Sequence, residues 1–338
     1  MKSLIKFSKA SSAVIKNKSS FFNENEKLLK KVQKINTLYL EQPIRTNCKT
    51  CSKEIIKTDL TIHEIPYSLC LECGHFNGLH EDTEEFANFL YSDDDGQNYS
   101  ANYKEDYFNR VSDIYEPKVK FLSECMLSIE NINKFDVTDI GCGGGHFVKA
   151  LENLKIPAIG YDTNRSLIDF GSKMLLVNKI ELIKFDRIYD QIRNSNSRVL
   201  SLVGVLEHLI DPIKAINAFN QSDSKYLYLQ VPLFSFSALL ESIHPGVFPR
   251  QLNSGHTHLY TEQSINYICN KHNLSIIGEW WFGTDMVDLY RHIQVMGSTS
   301  STKDITTSLL GGLIDELQSV FDNKKLCSGV NMLIKKKV

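Results

Sequence analysis

Four of the eight cysteines form two Cys-x2-Cys pairs, Cys48/Cys51 and Cys70/Cys73, with 18 residues between the pairs. A tight Cys-x2-Cys turn aims two sulfurs at one point, and a hairpin between two such turns brings four sulfurs together. The spacing predicts a four-thiolate zinc site. His63, His75 and His80 lie nearby, but four thiolates complete a tetrahedron. The predicted Zn2+ is therefore structural, with no open position for catalysis. Eight cysteines in 338 residues do not read as a secreted disulfide scaffold.

A second chemical signal is "VTDIGCGGGHF" at residues 137–147. A P-loop would end in Gly-Lys-Ser/Thr, whereas this loop runs into His146-Phe147. A dinucleotide fingerprint starting at Gly141 and Gly143 would need Gly or Ala where His146 stands. What remains is Asp139-x-Gly141-Cys142-Gly143-x-Gly145. A carboxylate at the strand's end repels a pyrophosphate and suits a cationic ligand.

These residues need elements to hold them. Residues 24–40 show helical spacing, and 114–132 read as a second helix. From there strand and helix alternate, with strands predicted at 135–140, 157–161, 180–185, 198–204, 225–231 and 274–282 and in "GVNMLIKKKV" at the end. Such alternation predicts an α/β fold, a parallel sheet covered on both faces. An insertion at 283–326 contains the helical "DITTSLLGGLIDELQSVF", and its Asp285, Asp288 and Arg291 share one helical stripe. That stripe reads as a solvated, salt-bridged face, or else as a polar wall facing substrate. The expected organisation is an arm and helix at 1–43, a zinc-binding module at 44–80, a tyrosine-rich connector at 81–114 and the α/β domain at 115–338. In the connector Tyr91, Tyr99, Tyr103 and Tyr107 are spaced to share a helical face, for packing or as a lid.

The composition, 42% hydrophobic and 23% charged, is that of a soluble globular chain. A formal net charge of −2 gives no global attraction to nucleic acid or an anionic membrane, and no apolar run is long enough for a transmembrane helix. The first 20 residues carry five Lys and no acid. They read as a loosely ordered arm, with a targeting segment as the alternative. A cytoplasmic location is expected.

The glycine loop with its acid resembles the first motif of the class I S-adenosylmethionine-dependent methyltransferases. Further stretches match in the same order: Asp162 in "AIGYDTN", "VLSLVGVLEHLIDP" at 199–212, "KYLYLQVP", and the closing "GVNMLIKKK". The resemblance implies a Rossmann-like seven-stranded sheet and S-adenosyl-L-methionine as cofactor. It implies that Asp139, Gly141, Cys142, Gly143 and Gly145 form the loop under the methionine end and that Asp162 accepts the ribose hydroxyls. Asp186 in "LIKFDRIYD" is the nearest match to an acid that meets adenine, with Asp190 competing.

Open α/β sheets bind ligands at the carboxyl ends of their strands. Glu207, His208 and the segment holding His244, Arg250, His256, His258 and Tyr260 should then face the transferable methyl. Methyl transfer needs an aligned acceptor and, for a hydroxyl or acidic C–H, a base; histidine titrates in the right range. His256 and His258 project to one side if "GHTHLYT" is extended, and are the leading base candidates, with His208 and Glu207 behind them. The other reading makes them a helix-capping residue and a structural histidine, although Thr261 with Ser264 already makes a good cap.

A four-cysteine module ahead of such a domain resembles the sugar methyltransferases of deoxysugar and surface-polysaccharide pathways. The chain departs from their C-methylating members, which carry a further C-terminal α/β domain. Transfer to a hydroxyl of a saccharide, a nucleotide-linked sugar or a related small metabolite is thus equally expected. An RNA substrate is the alternative, weakened by the near-neutral charge and by having only Lys49, Lys53 and Lys57 on the ribbon. A non-catalytic cofactor-binding scaffold is the third reading, opposed by the intact Asp139, glycine loop and Asp162.

Overall fold

A computed structural model describes residues 3–12, 15, 20–55, 57–91, 106–176, 179–252, 255–297 and 299–337. Tyr99 and Tyr103 of the predicted tyrosine stripe lie outside the described residues. Aliphatic and aromatic runs such as "VLSLV" and "YLYLQVP" are buried on both faces, as central parallel strands require. Among the described residues the main sheet has eight strands in the order β1 (Leu4–Phe7), β11 (Leu274–Phe282), β12 (Gly329–Lys336), β9 (Tyr226–Pro232), β8 (Val199–Val203), β5 (Val137–Ile140), β6 (Ala158–Asp162) and β7 (Ile180–Leu182). Strands β5 to β9 run parallel, and β12 lies antiparallel between β9 and β11. Helices cover both faces. α3 (Glu116–Glu130) and α4 (His146–Asn153) pack Val119, Leu122, Phe147 and Leu151 on one side. On the other side α5 (Pro212–Gln221) and α6 (Glu262–Lys271) bury Ile216, Phe219, Ile265 and Ile268.

The eighth strand is β1, and it corrects the expectation of a loosely ordered arm. Leu4 to Phe7 pair in parallel with Gly278 to Trp281, and the Trp280 indole donates to the Ser8 carbonyl at 2.9 Å. Without it β11 would present an open edge, and covering that edge satisfies its backbone groups.

The cysteine module has its own antiparallel sheet of β2 (Leu60–Ile62), β3 (Ile65–Leu69) and β4 (Phe76–Gly78). Its fourth strand comes from far along the chain: β10 (His258–Leu259) pairs with Asn77 and Phe76. One apolar core joins this sheet to α1 (Asn25–Leu40) and α2 (Glu84–Tyr91) through Ile35, Tyr39, Phe76, Phe86, Leu90 and Leu259.

The insertion forms α7 (Asp285–Met296), α8 (Ser300–Leu310) and α9 (Ile314–Asn323). The stretch expected as one helical piece is thus divided at Gly311-Gly312. The Asp285–Asp288–Arg291 stripe is not a solvated face: all three side chains are buried. The segment after β9 folds over them. Asp285 accepts from the Ser235 and Ser237 hydroxyls at 2.5 and 2.9 Å, and Asp288 accepts from Arg250 at 2.7 Å. Burial pushes the Asp288 carboxyl up, but Arg250 and Arg291 overcome this and hold it down at about 2. Replacing Asp288 with Asn would remove the carboxylate shared by the buried Arg291 and the partly buried Arg250. Asp288→Asn is expected to lower the unfolding free energy by about 3–5 kcal/mol in urea denaturation; a loss below about 1 kcal/mol would contradict this account.

Candidate active site

The chain reverses its direction of strand addition between β5 and β8, which opens a crevice at their carboxyl ends. The loop after β5 fills the floor of that crevice. Gly141 has a φ of +71°, and a Cβ there would stand 2.4 Å from the Val205 side chain. Only glycine meets both conditions. Above the loop is a cavity of about 980 Å³, its open mouth included.

Asp139 and Asp162 both line this cavity and are buried deeply enough that desolvation raises their carboxyl groups, Asp139 to about 7. Ser201 on β8 donates to Asp139 at 2.6 Å, and the Gly143 and Asn164 amides donate to the two oxygens of Asp162 at 2.7 and 2.8 Å. A buried acid, Asp139, and a half-buried one, Asp162, around one cavity favour a positively charged occupant. Cys142 and Gly143 also line it. His146 starts α4 between the rings of Tyr107 and Tyr115, with centroids at 4.3 and 5.4 Å.

The opposite wall is apolar. Ile183, Phe185 and Ile188 line it, and Tyr91 stands nearly parallel to Phe185 at 6.4 Å. Asp186 is exposed and does not line the cavity. β7 ends at Leu182, and the tight turn at Phe185–Arg187 sends Phe185 inward and Asp186 outward. Asp190 is bound on the surface to Arg187 and Arg193. A flat heterocycle would find an aromatic and aliphatic slot here, with no acid on this wall among the described residues. Tyr91 closes α2 and Tyr107 opens a separate short helix, so these two tyrosines serve different places.

The histidine candidates separate. His208 lines the cavity; its Nδ1 sits 2.6 Å from the Gly255 carbonyl and 2.9 Å from the Tyr91 hydroxyl. Burial, then the neighbouring His256, drives His208 well below its ordinary range, so it is held neutral. The His256 ring lies 5.0 Å from that of His208, with Nδ1 2.8 Å from the Gln251 carbonyl. Glu207 lies beneath, buried, its carboxyl raised to about 8 by desolvation. Ligand atoms of Glu207, His208 and His256 all fall within 4.8 Å of one another. His258 is elsewhere. It is buried in β10 with Nδ1 2.9 Å from His75 Nε2 and does not line the cavity. The extended run assumed for "GHTHLYT" begins only at His258, which explains the split. His244 pairs with His292, Arg250 with Asp288, and Tyr260 is core, so none of the three lines the cavity.

The four cysteines converge, with all sulfurs within 4.8 Å. Cys48 and Cys73 are 3.6 Å apart, Cys51 and Cys70 3.5 Å. Sulfurs at about 2.3 Å from one tetrahedral ion would be roughly 3.8 Å apart, so this donor set fits a thiolate-bound divalent metal. Hydrogen bonding from Cys73 pulls the Cys48 thiol down to about 5 while the same contact drives Cys73 far up. Four sulfurs this close are suited to a cation between them.

A family described as "Methyltransferase domain" matches residues 103–279, just over half of the chain. The chain belongs to this family. It is an S-adenosylmethionine-dependent methyltransferase. No curated protein matches it by sequence. Among solved structures it is similar to the plantazolicin methyltransferase BamL at 16% identity, covering 74% of this chain and 94% of that one with a TM-score of 0.48. A methyltransferase from Archaeoglobus fulgidus matches at 15% identity, 70% and 100% coverage and a TM-score of 0.45. Magnesium protoporphyrin IX methyltransferase from Synechocystis PCC 6803 matches at 12% identity, 69% and 88% coverage and a TM-score of 0.44.

Elemental analysis of the purified methyltransferase is expected to find one zinc per chain. Cys70→Ser with Cys73→Ser should abolish it and lower the Tm, whereas full metal retention in that variant would rule out the four-thiolate centre.

Proposed function

We propose that this enzyme methylates a saccharide or nucleotide-linked sugar, with a structural Zn2+ in the four-cysteine module and S-adenosyl-L-methionine in the cavity at β5 and β8. When bound, the cofactor supplies an electrophilic methyl on a sulfonium. Asp139, Gly141, Cys142, Gly143 and Gly145 would receive its methionine end. Asp162 would accept the ribose hydroxyls with the lone pairs its two amide partners leave, and Phe185 with Tyr91 would flank the adenine. Glu207, His208 and His256 would meet the acceptor, His208 being the member that lines the cavity.

The observation that carries the acceptor class is the position of the cysteine module. Its sheet takes β10 from the methyltransferase domain, two residues after His256, and Asp82 beyond it lines a small cavity together with Glu207 and His208. The module thus sits beside Glu207 and His208, and the carboxylates and imidazole there could accept hydrogen bonds from the hydroxyls of a saccharide, which supports this reading. An RNA track has little support there: of the three ribbon lysines, Lys49 is buried against Asp82, Lys57 pairs with Asp59, and Lys53 is exposed. No described helix is long and apolar enough to cross a membrane; a cytoplasmic enzyme acting on soluble sugar precursors fits this reading.

Asp162→Ala is expected to weaken S-adenosylmethionine binding at least tenfold by titration calorimetry; an unchanged Kd would remove Asp162 from the cofactor site. Incubation with methyl-labelled cofactor and a panel of nucleotide sugars, glycans and tRNA should label a sugar. Label in tRNA alone would replace the saccharide reading with the RNA one. His208→Ala should cut turnover on the labelled acceptor by about 10²-fold or more while leaving cofactor affinity intact.

A further inference from the structure

We propose that Glu207, His208 and His256 form a site for a divalent first-row transition ion at the wall of the cofactor cavity. Two imidazoles and one carboxylate that leave coordination positions open are a recurrent ligand set for such ions. Here one nitrogen of each histidine and a carboxylate oxygen lie within 4.8 Å of one another, with His208 Nε2 3.9 Å from Glu207 Oε1. Ligand atoms at about 2.1 Å from one ion are about 3–4 Å apart, so small side-chain rotations close the set.

The surroundings match what a metal-bound histidine needs. Metal-ligating histidines commonly fix their other ring nitrogen on a backbone carbonyl or carboxylate. His208 Nδ1 faces the Gly255 carbonyl at 2.6 Å and His256 Nδ1 the Gln251 carbonyl at 2.8 Å. A carbonyl only accepts, so each Nδ1 carries the proton and Nε2 becomes the coordinating atom. Glu207 supplies a second observation. Its Oε2 is buried with no hydrogen-bond partner, an expensive state for a carboxylate that a cation would relieve. On the module, the positive charge of Lys49 is matched by Asp82.

His208 lines the cofactor cavity and the small cavity under the module, so the open positions of the ion would face the place assigned to the acceptor. The ion would hold two neighbouring hydroxyls of a saccharide and align one with the methyl, a role that rests on the saccharide reading above.

The protein, with any metal of the cysteine cluster retained, should take up one Mn2+ per chain when the free ion is followed by electron paramagnetic resonance. Mn2+ has little affinity for thiolates, so the cysteine cluster does not contribute. Pulsed measurements on the unmodified protein should show nitrogen couplings from two imidazoles. Glu207→Gln and His256→Asn should each weaken uptake at least tenfold while S-adenosylmethionine binding persists. The site is overturned by no uptake at millimolar Mn2+, by bound Mn2+ without nitrogen coupling, or by uptake that neither substitution weakens in a variant that still binds cofactor. Should a variant misfold, the couplings in the unmodified protein decide. Uptake is read without any acceptor, so its failure leaves the saccharide reading standing, and failure of transfer to every sugar leaves the ion site standing.

Discussion

The pairing of β5 with β8 is the constraint from which the cofactor end of the molecule follows. Three register pairs, Val137 with Val199 through Asp139 with Ser201, set the two carboxyl ends level. Ser201 can then reach across to Asp139, and Val205 can press against Gly141. A larger residue at 141 would push the two strand ends apart and move both halves of the cavity floor. The acid, the loop and the wall carrying His208 are therefore placed by one backbone contact and not by separate devices.

The cysteine module is joined to this apparatus by continuous backbone hydrogen bonding. The segment that holds His256 becomes β10, adds to the module's sheet, and leaves as α6. Thr261 caps α6 by accepting from the Ser264 amide, and its hydroxyl also lies 2.9 Å from the Gly74 carbonyl in the second cysteine turn. His75, one residue on, meets His258. A change in the geometry of the four sulfurs would thus be felt in the short segment that carries His256, whose ring lies beside that of His208.

Much of this was legible in the sequence, and the exceptions share a cause. β11 has its expected ends at 274 and 282 because nine residues of aliphatic and aromatic character leave little ambiguity. The capping pair Thr261 and Ser264 and the convergence of four cysteines follow from spacing alone. Leu4–Phe7 is four residues long and has no periodicity to read; only its distant partner makes it a strand. The helical stripe of Asp285, Asp288 and Arg291 has the pattern of a solvent face, and only the chain folded above it reverses that. Asp186 and Phe185 are neighbours, and which one enters the cavity depends on a tight turn that a search for an acid overlooks. His256 and His258 were parted by where a two-residue strand begins. Each case turns on a tertiary partner, which local pattern does not encode.

β1 also carries a consequence in time. Its partners, Gly278 to Trp281, are made long after Leu4 to Phe7 leave the ribosome. Through most of synthesis this first segment has no sheet to join, and loop closure over such a distance is entropically slow. The edge of the sheet can be sealed only once Gly278 to Trp281 have emerged. Docking of β1 therefore belongs among the last events of folding, and until then β11 shows a tryptophan-bearing edge to whatever is nearby.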